Sequence, residues 1–126
     1  MKNDFDTNWT TAVGLAPVSV SVGTDAGATV DQADGPCVAF IINNGAFASA
    51  ATITSKIQYS SDDSTWSDDD ASSGNDAAVK DTVTGITVLN CPNPLARYVR
   101  AYITVTTDAV VCGVINVVGP KKHVAV

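Results

Sequence analysis

One histidine, three cysteines and thirteen acidic residues are the side chains in this sequence best suited to chemistry. A Ser–His–Asp or Cys–His arrangement would have to use His123, which lies in the C-terminal tail beyond the last apolar run. A base placed there lacks the rigid support that keeps it within hydrogen-bond reach of a nucleophile. The run Asp62, Asp63, Asp68, Asp69, Asp70 and Asp76 could gather oxygens for a hard cation, or supply paired acids for glycoside hydrolysis. It has neither the spacing nor the distal Glu of an EF-hand loop, and it reads more simply as a solvated hairpin tip. Cys37 and Cys112 sit inside apolar runs, where a free thiol behaves as a small hydrophobe, and an odd cysteine count does not suggest a disulfide framework. Zinc would need four ligands with paired spacing. No phosphate-binding or dinucleotide-binding glycine motif occurs. The expectation is a non-enzymatic chain with no catalytic residues, no metal and no cofactor.

Aromatic residues offer a second kind of chemistry. Trp66, with Tyr59, Tyr98 and Tyr102, could stack against sugar rings. Alternatively, Trp66 folds back to close its own hairpin, which its short spacing from Tyr59 permits.

The elements that must position these residues follow from composition. The chain has 126 residues, 45% of them hydrophobic, enough for one domain with a real core. It contains no Glu and only three Leu, whereas Val and Thr together make up about a quarter of it. Branched residues at that density suit a pleated surface. The net charge of −6 repels a phosphate backbone, so no nucleic-acid partner is expected. No apolar run approaches the roughly 20 residues of a membrane-spanning helix, and the first residues lack the apolar core of a signal peptide. No membrane partner is expected, and the chain reads as one made in, or released from, a cytoplasm.

Alternation marks the strands. From Leu15, Val18, Val20 and Val22 fall on one face. A Gly-, Asp- and Ala-rich loop follows, with a short strand near Val30. Cys37–Ile42 is continuously apolar and is closed by Asn43-Asn44-Gly45. Ile53, Ser55, Ile57 and Tyr59 then share one face against Thr52, Thr54, Lys56 and Gln58 on the other. Strands recur over 81–90 and 97–106, and Thr107-Asp108 turns the chain into an apolar strand over 110–118. The expected architecture is all-β: an antiparallel β-sandwich, jelly-roll-like or a small barrel, in a single domain. Residues 1–14 would form an N-terminal arm, 15–119 the sandwich and 120–126 a C-terminal tail.

Two of these strands, 37–42 and 110–118, are apolar on both faces, although a small sandwich has only one interior. The remaining face must be covered by the chain's own loops, by a second copy or by a larger assembly, since left open it invites aggregation. Self-association or docking is the leading expectation.

The stretches Gln58–Trp66 (QYSSDDSTW), Arg97–Arg100 (RYVR) and Val117–His123 (VVGPKKH), together with LAPVSV at Leu15–Val20, resemble a family of small structural proteins encoded near the head genes of tailed bacteriophages. The likeness runs from about residue 15 to 123, and the sequence departs from it in a long Asp/Ser/Asn insert after Trp66. The resemblance implies a β-sandwich that decorates or cements a capsid, with the major capsid protein as partner and copies associating as a homo-oligomer. It implies a place on the virion surface after assembly in the host cytoplasm. On that reading Phe5 and Trp9 of the arm, and Lys121, Lys122, His123 and Val124 of the tail, are the partner-interface residues, while the loop from Asp62 to Asp76 points outward. The alternative is a carbohydrate-binding module of a phage head or tail fibre that uses Trp66.

Overall fold

The structure, a computed structural model, describes residues 10–31, 37–48, 50–69 and 74–119. Among these residues the chain forms strands only, as its composition predicts. They are β1 (Thr10–Val20), β2 (Gly23–Ala26), β3 (Val30–Asp31), β4 (Cys37–Phe47), β5 (Thr52–Ser60), β6 (Ser67–Asp68), β7 (Val79–Asp81), β8 (Gly85–Cys91), β9 (Tyr98–Thr106) and β10 (Val110–Gly119). Every pairing is antiparallel.

The strands make two sheets. The first has the order β1-β10-β4-β8. The second is built on the β9–β5 pair, with β2 and β3 on the free edge of β9 and β6 and β7 on the free edge of β5. Val38, Phe40 and Ile42 of β4, Leu89 of β8 and Val114 of β10 face inward from the first sheet. They meet Ile53 and Ile57 of β5 and Val99, Ile103 and Val105 of β9. Burying a side chain of this size is worth about 1.5–3 kcal/mol, so these layers supply most of the drive to fold. The fold is a single-domain β-sandwich, as expected.

Strand β9 leads into β10 through a very tight turn. The Asp108 N–H donates to the Thr106 carbonyl at 2.9 Å, and Thr107 between them has a φ of 75°. That is a three-residue γ-turn with its central residue in the left-handed region, an uncommon setting for a branched side chain.

The edge strand β1 departs from its simple alternation. It begins at Thr10, inside the segment assigned to the arm, and pairs with β10 from Thr10–Val118 onward. Of the three valines expected inside, only Val20 is buried, while Val18 and Val22 are exposed. The strand also carries two register shifts, between Val13 and Leu15 and between Leu15 and Val18. Each adds one residue to β1, and a one-residue slip turns the following side chains to the opposite face. Gly14 sits in the first shift, where a Cβ would run into the Asn116 side-chain oxygen and stand 3.0 Å from Val114 Cγ1.

Candidate docking face

Residues directly opposite one another in an antiparallel pair share a face. On the outward side of the first sheet this register aligns Val13, Ile115, Ile41 and Val88 into one row across all four strands. Val13 is 64% exposed, Ile115 46% and Val88 45%, with Ile41 half-buried between the last two. Ile86, exposed to 69%, extends the patch along β8. A hollow of about 230 Å³ opens beside Ile115, walled by Val13, Leu15 and Pro17 and floored by Gly113. Pro17 stands 3.2 Å from the place a Gly113 Cβ would occupy, so a side chain there would push the edge strand back by a few tenths of an ångström.

The outward face therefore answers the question posed by the two apolar strands. Their inward residues are sealed in the core, but the described loops do not enclose the outward row. Branched apolar side chains in neighbouring positions on four adjacent strands form a contiguous patch rather than scattered exposures, the arrangement that marks interaction surfaces.

The opposite, outward side of the second sheet is polar and internally bonded. Asp68, Gln58 and Arg100 lie in register across β6, β5 and β9. Arg100 Nε donates to Gln58 Oε1 at 2.9 Å, and Gln58 Nε2 donates to Asp68 Oδ1 at 2.9 Å. Lys56 Nζ donates to the other Asp68 oxygen, also at 2.9 Å, while its ammonium lies 5.2 Å from the Tyr102 ring centroid. Trp66 is half-buried, with the Arg100 guanidinium 4.1 Å from its ring centroid. Trp66 thus lies against Arg100 of β9, and one of its faces already has a cation against it. Tyr59 packs on the core side of β5 and does not join Tyr98 and Tyr102, so the four aromatics do not form one platform.

The acidic segment is less free than a solvated tip would be. Asp62 and Asp63 are exposed, but Asp62 Oδ1 accepts the Ser64 and Thr65 N–H groups, which hold its carboxyl below the usual range. Asp68 is likewise lowered by its hydrogen bonds from Lys56 and Gln58. Asp69 is buried and accepts from Asn75 Nδ2 at 2.6 Å. Asn75 also donates to the Asn93 carbonyl and accepts the Asn93 N–H, both at 2.9 Å. Asp76 exchanges hydrogen bonds with Asn90 on the edge of the first sheet. The expectation of an outward-pointing loop from Asp62 to Asp76 therefore holds at Asp62 and Asp63 and fails at Asp69 and Asp76. These last two anchor a strap between the sheets, because Asn side chains bridging two backbone segments outcompete free solvation. Asp70 lies outside the described residues.

Cys37, Cys91 and Cys112 are all free thiols. Burial pushes the Cys91 thiol up to about 12, with nearby Asp69 and Cys37 adding to the effect, and burial raises Cys112 as well.

No family model and no curated protein matches the chain. Among the described residues no group of three or more His, Cys or Asp side chains is arranged to hold a metal ion. The expected contact residues Phe5, Trp9, Lys121, Lys122, His123 and Val124 lie outside the described residues. What sequence reasoning missed is the contribution of Val13, Ile86 and Val88. The alternation of Ile86 and Val88 with Thr87 and Leu89 carried the signal, but an apolar set on each side of β8 hid which one faces the core.

Proposed function

We propose that this chain is a non-enzymatic virion structural protein that decorates or cements a phage capsid. It does so by burying the outward face of its first sheet against the major capsid protein or a neighbouring copy. The observation that carries the reading is the exposed row Val13–Ile115–Ile41–Val88, running unbroken across the sheet. A sandwich with one apolar outer face and one polar outer face has a built-in orientation: the apolar side toward a shell, the polar side away from it. The likeness of Gln58–Trp66 and Arg97–Arg100 to phage head-associated structural proteins supports a phage shell as the partner. Repetition over a lattice multiplies individually weak contacts, so the face need not be large. The net charge of −6 would keep coated particles apart.

The test is binding of the purified chain to shells of the encoding phage that lack it. Saturable binding is expected, with loss of roughly tenfold or more in affinity for Ile115→Asp, a surface change that leaves the core intact. A folded Ile115→Asp protein that binds as well as the parent contradicts the docking face. Absence of the chain from purified particles contradicts the capsid role.

A further inference from the structure

The described residues include four cations, and three of them are accounted for by solvent or by a partner. Lys56 pairs with Asp68 and Arg97 with Asp31, each at 2.9 Å, and Lys80 is exposed. Arg100 differs. It is half-buried, makes no ion pair among the described residues, and is fixed on three sides. Its Nε donates to Gln58, Trp66 lies 4.1 Å away and Tyr102 5.5 Å away, each measured to the ring centroid. Asp68, the acid in register with it, is already engaged by Gln58 and Lys56. A guanidinium carries five N–H donors. Among the described residues only the Nε–H has a protein acceptor, and neither terminal nitrogen has one.

We propose that this outer face of the second sheet is a docking site for a carboxylate side chain of a protein partner, gripped by the two terminal nitrogens of Arg100 between Trp66 and Tyr102. Three properties favour that occupant. A planar fork matches a carboxylate in a two-pronged contact, and this fork is already held in place, so little freedom is lost on binding. The aromatic walls supply apolar area around the charge, and Trp, Tyr and Arg are the residue types on which protein interfaces concentrate their energy. A polyphosphate or nucleic acid would meet the repulsion of a chain of net charge −6, whereas a single carboxylate brings far less charge. The proposal does not depend on the capsid reading, but it complements it: contact sites on two opposite faces let one molecule bridge two neighbours.

The experiment uses the full chain with Trp9→Phe, so that Trp66 is the only indole emitter, and titrates it with a capped Ala-Glu-Ala peptide, which carries a single carboxylate. The expected result is a saturable change in Trp66 fluorescence. Affinity should fall roughly tenfold or more in Arg100→Lys, which keeps the charge but loses the fork, and stay unchanged in Lys80→Gln. Arg100 Nε–H and Trp66 indole N–H resonances of the unmutated chain should shift together during the same titration, which keeps the test decisive if Arg100→Lys folds poorly. No saturable response at millimolar peptide overturns the proposal. So does an equal response from Arg100→Lys, from inorganic phosphate, or from resonances remote from Arg100.

Discussion

Ile115 and Ile41 stand directly opposite one another on the outward side of β10 and β4, at the centre of the first sheet. Central strands of a sandwich ordinarily show polar residues on that side, because only one face of each sheet has a core to fill. Here the pair is flanked by Val13 and Val88 on the edge strands, so the apolar row reaches both margins of the sheet. An aliphatic row of this extent has one physical use in water, which is to be covered.

Gly14 is predicted to be irreplaceable in the edge strand. Gly14→Ala drives a methyl into the buried Asn116 side chain, which donates to the Ala28 carbonyl at 3.1 Å. A loss of about 1–3 kcal/mol is expected in urea unfolding. In an Asn116→Ala background the same substitution should cost roughly half as much, because the obstructing oxygen is gone. Additive costs would mean that the two positions do not touch.

Asn75→Ala should release the strap between the sheets. The side chain is 4% exposed and joins Asp69 to both backbone groups of Asn93. Its removal leaves buried polar partners unsatisfied, for an expected loss of about 1–3 kcal/mol. Hydrogen exchange should quicken at Asn93. A neutral effect on stability would show that the strap is held elsewhere.

The three thiols should react in a definite order. The thiolate is the nucleophile, and burial disfavours it at Cys91, where the thiol is pushed up to about 12, and at Cys112. Iodoacetamide at mildly alkaline pH should label half-buried Cys37 first, and Cys91 and Cys112 only once the protein unfolds. Rapid native labelling of Cys91, read by peptide mass, would contradict the packing described.

Acid should weaken the fold through Asp62 and Asp68. Both carboxyls are lowered in the folded state, Asp62 chiefly by the Thr65 N–H and Asp68 chiefly by Lys56. The folded protein therefore binds these protons less readily than the unfolded chain. Their contribution is full above the unfolded Asp value of about 3.9 and disappears as pH falls through the lowered folded values. The urea midpoint should drop across that window, and Asp68→Asn should flatten the drop. Because Asp68 lies near the surface, the effect is modest and shrinks with salt. An unchanged slope in Asp68→Asn would remove Asp68 from the account.

Much of the fold was legible because period and burial agree along β5 and β9. Ile53 and Ile57 alternate with Thr54 and Lys56, and Val99, Ala101 and Ile103 alternate with Arg100 and Tyr102, so inside and outside are unambiguous. The short strand near Val30 and the turn at Thr107-Asp108 were likewise readable from local residue types. The edge strand was not. Its two register shifts depend on how Pro17 meets Gly113 and how Gly14 meets Asn116, contacts across about a hundred residues that no local pattern encodes. The same limit applies to the docking face. That β4 and β10 carry spare apolar surface could be read from the sequence, but that Val13 and Val88 complete their row depends on strand order. The strap was hidden for a related reason: an Asp- and Asn-rich run looks solvated until its tertiary partners Asn90 and Asn93 are known.

The proposed capsid role is tested most directly by a cryo-electron microscopy map of purified particles of the proposed phage, fitted with this sandwich. The account predicts that Val13, Ile115, Ile41 and Val88 pack against a neighbouring molecule while Asp62 and Asp63 face solvent. A map in which that row lies open to solvent on every copy would contradict it.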